Sequence, residues 1–509
     1  MRRLFFLPLA SLPVLSFLAC GGDDNTSPST ADASPDVIPD TTVVPTPEAS
    51  PFPDATTVNC TLNDKTDPVS FCVQKVVLKE QHAHAFLATD AGATGVVTSW
   101  DSFSHLPDTN EAGATAHSFY DDVSYAASCA VFHASSLQYG DNQLTPTLDD
   151  DLLALAPLLE TELATLPDTA DGELYARLRT TAGGLRAIQD LPDGDKIDKI
   201  ADSYGRAIFK NHYFAVANAG GGDGGASDAG PSSPGGIIGT DMGGGQVAYA
   251  PADVATSALA LLDLAVRNPG DPDAANWQMA ARLSLDHIHA RGREGTTGMY
   301  YRLLVTSADP SSDTPTGPAP ADVLLSDTQA TISLALVRAQ TLVTNNVHDA
   351  DAGAGDAADA GLAGALSLVG DYPFADRSAE AIANANGSLH SLWDSGSAGY
   401  FEGYVPSLAM GITTKSTRAN AFMLAAIALT NFLAPNPYHV QTKPLRDLFR
   451  LQVTPNGGLF FVVPNQASYL RASTASFQLI TSGEPHPASY TSLANGAAIE
   501  ALNELWGLP

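Results

Sequence analysis

One internal repeat constrains this chain more than any other feature. From Ser391 to Leu433 a helix end runs into Gly399-Tyr-Phe-Glu-Gly-Tyr, then a loop, then a helix from about Ser416 that is apolar almost all round, with Ala419, Phe422, Met423, Ala426, Ile427 and Leu429. His287 to Gln340 repeats the order with Gly298-Met-Tyr-Tyr, and Leu448 to Leu505 repeats it with Gly458-Leu-Phe-Phe. The spacing is roughly 75 to 90 residues, longer than the helix pairs of common solenoids. A helix without a polar stripe has neighbours on every side, so each repeat ends inside the molecule.

The rest of the chain alternates in the same way. Helices are predicted over Val73–Leu87, Tyr120–Leu137, Asp149–Leu166, Gly172–Gln189, Lys196–Val216, Ala252–Val266, Asp273–Arg291, Asp327–Leu342, Ala360–Trp393 (broken at Gly370-Asp-Tyr-Pro), Ser416–Leu433, Val440–Val453 and Ser489–Trp506. In Asp273–Arg291, Trp277, Ala281, Leu285 and Ile288 share one face and Gln278, Arg282, Asp286 and His289 another, the pattern of a peripheral helix. Its predecessor spreads Val254, Leu259, Leu261, Leu262 and Ala265 more widely. An inner ring of buried helices wrapped by amphipathic ones accounts for this alternation, and a solenoid of helix pairs is the competing solution. The Gly-aromatic segments read as short β-hairpins at one rim.

On these segments, Gly298-Met-Tyr-Tyr with Asp327-Thr-Gln-Ala, Asp394 through Gly399-Tyr-Phe-Glu-Gly with Thr417-Arg-Ala-Asn-Ala, and Gly458-Leu-Phe-Phe with Ser492-Leu-Ala-Asn-Gly, the chain resembles the six-hairpin (α/α)6-toroid proteins over about 120–506. The resemblance implies an all-α double ring of about twelve helices. It also implies chemistry on carbohydrate, either glycoside hydrolysis or sugar isomerisation of the N-acylglucosamine 2-epimerase type.

Such toroids place their sites in a funnel lined by the loops that enter the inner helices. At the matching positions stand Asp253, Asp327, Glu402 and His486 as candidate catalytic groups. Tyr249, Tyr404, Arg418, Asn420 and Tyr490 stand there as candidate substrate-binding groups. Glycoside hydrolysis normally uses two carboxyl groups about 5 to 9.5 Å apart. Asp253 and Asp327 also suit helix capping, Glu402 a solvated strand, and His486 an ordinary loop. Arg418 is different, because an arginine at a helix start opposes the dipole and needs another reason to be there.

The N-terminus supplies an address. Arg2-Arg3, the apolar run Leu4–Leu18 and Leu18-Ala19-Cys20-Gly21 describe a signal peptide over 1–19 that ends in a bacterial lipobox-like junction with Cys20 lipidated. Residues 20–58 hold almost nothing large and apolar and read as a Pro-rich tether. The toroid domain is assigned to 59–509, with low-complexity inserts at 218–246 and 349–364 expected to be dispensable. An exported chain permits disulfides. Cys60 and Cys72 bracket a polar loop and are the preferred pair, with Cys129 a buried thiol; pairing of Cys129 with either is the alternative.

A net charge of −31, from 56 acidic and 25 basic residues, argues against a nucleic-acid partner and against a basic patch on anionic lipid. His82/His84 and His287/His289 are each two apart on helices and diverge. Neither His-Glu-x-x-His nor His-x-x-Glu occurs, and no nucleophile elbow, P-loop or dinucleotide fingerprint has the right context. No metal or cofactor is expected. The resulting expectation is a monomeric, lipid-anchored protein of the bacterial cell envelope, at the outer membrane or cell surface. Its toroid acts on or binds carbohydrate, with hydrolysis ahead of isomerisation. A non-catalytic surface lipoprotein binding a glycan or a protein is the alternative.

Overall fold

The computed structural model describes residues 68–89, 92–101, 118–139, 143–189, 192–217, 235–309, 323–352, 366–387, 390–396, 398–412, 415–451, 472–473 and 489–504. All of them lie in one compact unit, Thr56–Pro509. Among them are twelve α-helices: α1 Pro68–His84, α2 Phe119–Tyr139, α3 Thr145–Glu162, α4 Gly172–Gln189, α5 Pro192–His212, α6 Pro251–Arg267, α7 Ala274–Arg291, α8 Ser326–Ala352, α9 Phe374–Ala385, α10 Thr417–Leu433, α11 Thr442–Leu451 and α12 Ser492–Glu504.

The even-numbered helices form the inner ring. Each packs on the next even-numbered helix, and α12 packs back on α2, closing the circle. The sequence pattern shows why they stay inside. Every residue of α10 from Ala419 to Ala428 is buried. Small residues dominate α12, and a side chain at Gly496 would strike Ser124 of α2, so this glycine lets the last helix seat against the first of the ring. The odd-numbered helices present one face to this ring. On α5, Ile197, Ala201, Tyr204 and Ile208 are buried, the i, i+4, i+7 stripe of an amphipathic helix.

Short antiparallel strands decorate the ends at which the inner helices start. β1 (Phe86–Thr89) pairs with β2 (Gly92–Val96), β3 (Ser99–Asp101) with β14 (Ser489–Thr491), and β4 (Tyr213–Val216) with β5 (Gly235–Ile238). A three-stranded sheet joins β6 (Thr240–Gly243), β7 (Gln246–Tyr249) and β8 (Leu304–Ser307). Another joins β9 (Leu324–Leu325), β10 (Gly403–Val405) and β11 (Met410–Ile412), and β12 (Lys415–Ser416) meets β13 (Ala472–Ser473). Strands β7, β9, β12 and β14 stand directly ahead of α6, α8, α10 and α12.

Several expectations need correction. The insert assigned to 218–246 includes β5, β6 and the start of β7, and Ile237 and Ile238 of β5 are buried in the main core. That part packs on the core: flanking glycines concealed a strand whose isoleucines pack inward. Tyr300 and Tyr400 make single bridges, to Arg293 and Trp393, and Gly403-Tyr404 enters β10 of a rim sheet as expected; the segment at Gly458 lies outside the described residues. Of the helix predicted over 360–393, the described residues hold α9, which starts after Pro373, at the expected break, and ends at Ala385, short of Trp393. Cys129 is a buried free thiol. Cys20, Cys60, the signal segment, the tether and most of both inserts lie outside the described residues, as does the side chain of Cys72.

Candidate functional site

The repeated junctions are held by a repeated hydrogen-bond clamp. Gln329, on the first turn of α8, accepts the backbone N–H of Tyr300 at 2.9 Å and donates to its carbonyl at 2.8 Å. Asn420 on α10 accepts the N–H of Tyr400 at 2.6 Å and donates to its carbonyl at 3.0 Å. Both amides also donate to the carbonyl one turn back, Leu325 or Ser416. Each clamp satisfies buried backbone groups that would otherwise lack partners. The amide of Asn420, read from sequence as substrate-binding, is therefore committed to the fold. Tyr249 is also buried, edge-on to His287 with ring centroids 5.4 Å apart. Tyr404 is buried and stacks on His390 at 3.9 Å. His486 and the side chain of Tyr490 lie outside the described residues.

Arg418 stands two residues before its clamp and behaves differently. Its guanidinium donates to Asp327 of α8 at 2.5 Å and to Glu173 of α4. Because α4 and α10 are separated by α6 and α8 in the ring, this side chain crosses the lumen. Deeper down, Arg177 of α4 approaches Glu500 of α12 at 3.9 Å, and Arg338 of α8 pairs with Glu500 and Glu504, each at 2.9 Å. Between the two layers lies a cavity of about 20 Å³, lined by Glu173, Thr256, Thr331, Arg338, Phe422 and Glu500 among others. That is room for roughly one water molecule.

Asp171 and Glu173 give no such signal in the sequence, since no hairpin or aromatic pair announces the start of α4. Asp171 caps that helix, accepting from the N–H groups of Glu173 and Leu174 at 2.9 and 3.1 Å. Gly172 between them rests against the backbone of Thr256, where any side chain would collide. This close approach brings Asp171 and Glu173 beside Asp253 on the first turn of α6. Asp253 is not a cap: the N-cap position of α6 is Ala250, with no side-chain capping bond.

The carboxyl groups of the mouth sit in contrasting fields. Burial, then the nearby charges of Asp171 and Glu173, push Asp253 up to about 7, with Arg418 opposing and Asp327 adding to the rise. Asp253 nonetheless retains exposed surface, so solvent reaches it and softens the effect of its neighbours. Burial also raises Asp327, against the pull of Arg418. For Glu173 burial pushes the same way, yet Arg418, Arg177 and Arg338 together hold it below the ordinary glutamate value. One mouth thus holds a carboxyl that keeps its proton near neutrality and another that has lost it. Glu402 lies in a bend just before β10, not in a strand, close enough to Asp327 to raise it further. Among the described residues no group of three or more His, Cys, Asp or Glu side chains is arranged to hold a metal. His82 instead pairs with Asp151 at 2.7 Å, and His289 faces Glu380 at 3.8 Å.

No protein-family model matches the sequence, and no curated protein matches it. Solved structures do match in fold. An unsaturated glucuronyl hydrolase specific for heparin aligns over 86% of this chain and 95% of its own, with a TM-score of 0.51 and 11% identity. The Lin0763 protein from Listeria innocua aligns over 86% and 96%, with a TM-score of 0.51 and 8% identity. The chain is a six-hairpin (α/α)6 toroid. At such identities the likeness speaks for the architecture alone, and the chemistry has to be read from the residues at the toroid's mouth.

Proposed function

We propose that this toroid acts on carbohydrate as a glycoside hydrolase. The observation that carries the reading is the pair of carboxyl groups with opposed protonation, Asp253 and Glu173, at the mouth of the inner ring. Environments that split two acids in this way assign a proton donor and an anionic partner. Asp253 gives its proton to the glycosidic oxygen as the bond to the anomeric carbon breaks. The carboxylate of Glu173 stabilises the positive charge developing at that carbon and takes a proton from the attacking water, whose hydroxyl completes the new hemiacetal. Arg418, anchored on Asp327, holds Glu173 in place, and Glu402 borders the same space. Half-exposed Tyr120, tilted against Phe119 with centroids 4.0 Å apart and within the field of Asp171 and Asp253, offers a face for a sugar ring. Lipidation at Cys20 would tether this activity to the bacterial envelope.

One observation favours the non-catalytic alternative: Arg418 already occupies both Asp327 and Glu173. Incubating the full chain with a panel of oligosaccharides, and following release of reducing ends by NMR, separates the two. Turnover that disappears in Asp253→Asn supports hydrolysis and gives the anomeric outcome. Binding without release in the wild type leaves a glycan receptor.

A further inference from the structure

We propose that the funnel selects a sugar bearing a protonated amino group over neutral and uronic-acid-bearing sugars. The inference rests on the carbohydrate reading and names the substrate class for the same mouth.

The first support is the balance of fixed groups. Asp171, Glu173, Asp253 and Asp327 share the field of one guanidinium at the mouth, Arg418, with Glu402 beside Asp327; Asp253 keeps its proton near neutrality but still offers an acceptor oxygen. All three arginines in the lumen are already engaged by carboxylates: Arg418 by Asp327 and Glu173, Arg177 by Glu173 and Glu500, and Arg338 by Glu500 and Glu504. A substrate carboxylate would have to displace one of these partners and then face the others. Like charges held this close repel. An ammonium group finds more acceptors than cations there, and it shares Glu173 and Asp327 with Arg418.

The second support is independent of the acids. Thr331, one turn below Asp327 on α8, is 3% exposed and lines the same cavity as Glu173, and its hydroxyl has no hydrogen-bond partner. A buried hydroxyl without a partner costs free energy unless something else completes it. Its neighbour Thr256 uses its own hydroxyl on the backbone of Asp253 at 3.2 Å, so the vacancy belongs to Thr331. An ammonium carries three donors, enough to reach Glu173, Asp327 and Thr331 together. The nearby face of Tyr120 suits a cation as well as a sugar ring.

The test is calorimetric titration of the full chain with four ligands at slightly acid pH: a glucosamine tetrasaccharide, its fully N-acetylated counterpart, a uronic-acid tetrasaccharide and spermine. The glucosamine ligand should bind at least about tenfold tighter than the N-acetylated one, and its advantage should shrink as salt rises from about 0.02 to about 0.5 M. Thr331→Val should weaken the glucosamine ligand several-fold while leaving the melting temperature unchanged. Equal or tighter binding of the N-acetylated or uronic ligand overturns the charge selection and leaves the carbohydrate reading standing. Binding of spermine alone overturns the carbohydrate reading and this proposal with it, and binding of none of the four at millimolar concentration overturns both.

Discussion

The starts of α8 and α10 share a clamp and differ in charge. Gln329 and Asn420 each grip a tyrosine backbone from the preceding segment with the same bonds. Two positions earlier the repeat breaks its own pattern, with Asp327 in one unit and Arg418 in the other, and these two side chains pair. In the third unit, α12, the corresponding residues are Asn495, buried, and Leu493, 37% exposed. Where the fold needs a group, the repeat keeps an amide. Where only the lumen is served, it is free to place an acid, a base or a leucine. Chemistry in this molecule is concentrated where the repeat ceases to be regular.

The sharpest break should come at Asp253, an acid that does not cap its helix. Asp253→Asn removes the proposed general acid and should lower turnover by about 100- to 10,000-fold. Wild-type turnover should fall as pH rises past about 7, because the acid must carry its proton. Stability adds a second readout. The folded chain keeps a proton on Asp253 that the unfolded chain releases at its ordinary value of 3.8, so this group makes stability fall as pH rises from there to about 7. The variant should lack that slope. Full activity in Asp253→Asn would remove this residue from the mechanism.

Breaking a clamp should do the opposite. Asn420→Ala strips partners from the buried backbone of Tyr400 and should cost about 3 kcal/mol of stability in urea unfolding. Gln329→Ala should behave likewise at Tyr300. Ligand affinity, measured where both variants remain folded, should change little. A stable Asn420→Ala protein with lost affinity would return Asn420 to the substrate-binding set.

This contrast also explains what the sequence could disclose. The ring was legible because burial imposes a pattern on every turn of α10, and the order of segment, loop and buried helix recurs. Arg418 was legible because a cation at a helix start conflicts with the dipole. Asp171 and Glu173 were not legible, because Thr-Ala-Asp-Gly-Glu reads as an ordinary cap and their value comes from Gly172 lying on Thr256, a contact 84 residues away in the chain (256 − 172). The buried β5 was lost among glycines. Asn420 and Tyr404 were placed at the right rim, but sequence position alone does not say whether a side chain faces the lumen or the backbone behind it.

Arg418→Ala probes the charged side of the comparison with a smaller effect on stability. The cost should be about 2 kcal/mol at neutral pH, below the value for a fully buried broken pair, because the side chain is 29% exposed and the freed acids can take up protons. The sign in pH follows from Glu173. Its depressed value contributes stability that is present above the ordinary glutamate range and is lost as pH falls through the folded value. The wild type loses that contribution on acidification and the variant has already lost it, so the two unfolding curves should converge in acid. Curves that stay parallel from pH 7 to about pH 4 would mean that Arg418 stabilises by packing over Phe422, 4.9 Å from its ring, and not by charge.

The smallest effect is expected at Leu493. It occupies the position that holds Asp327 and Arg418 in the other units, yet it is a partly exposed leucine at the start of α12. If the repeat needs only its clamp, this position is structurally idle, and Leu493→Ala should move stability by no more than about 0.5 kcal/mol. Leu493→Arg should cost slightly more, since a cation at a helix start opposes the dipole by about 0.3 to 1 kcal/mol when no acid answers it. The pair of variants separates two explanations of the leucine. A loss of about 2 kcal/mol or more in Leu493→Ala would show that it packs as a core residue, and the idea of a position left free by the repeat would fail in the third unit. A silent Leu493→Ala that nonetheless weakens oligosaccharide binding would place Leu493 on the wall of the funnel, as an apolar contact opposite the charged ones. Neither loss would leave the charges of Asp327 and Arg418 as the only reason this position matters.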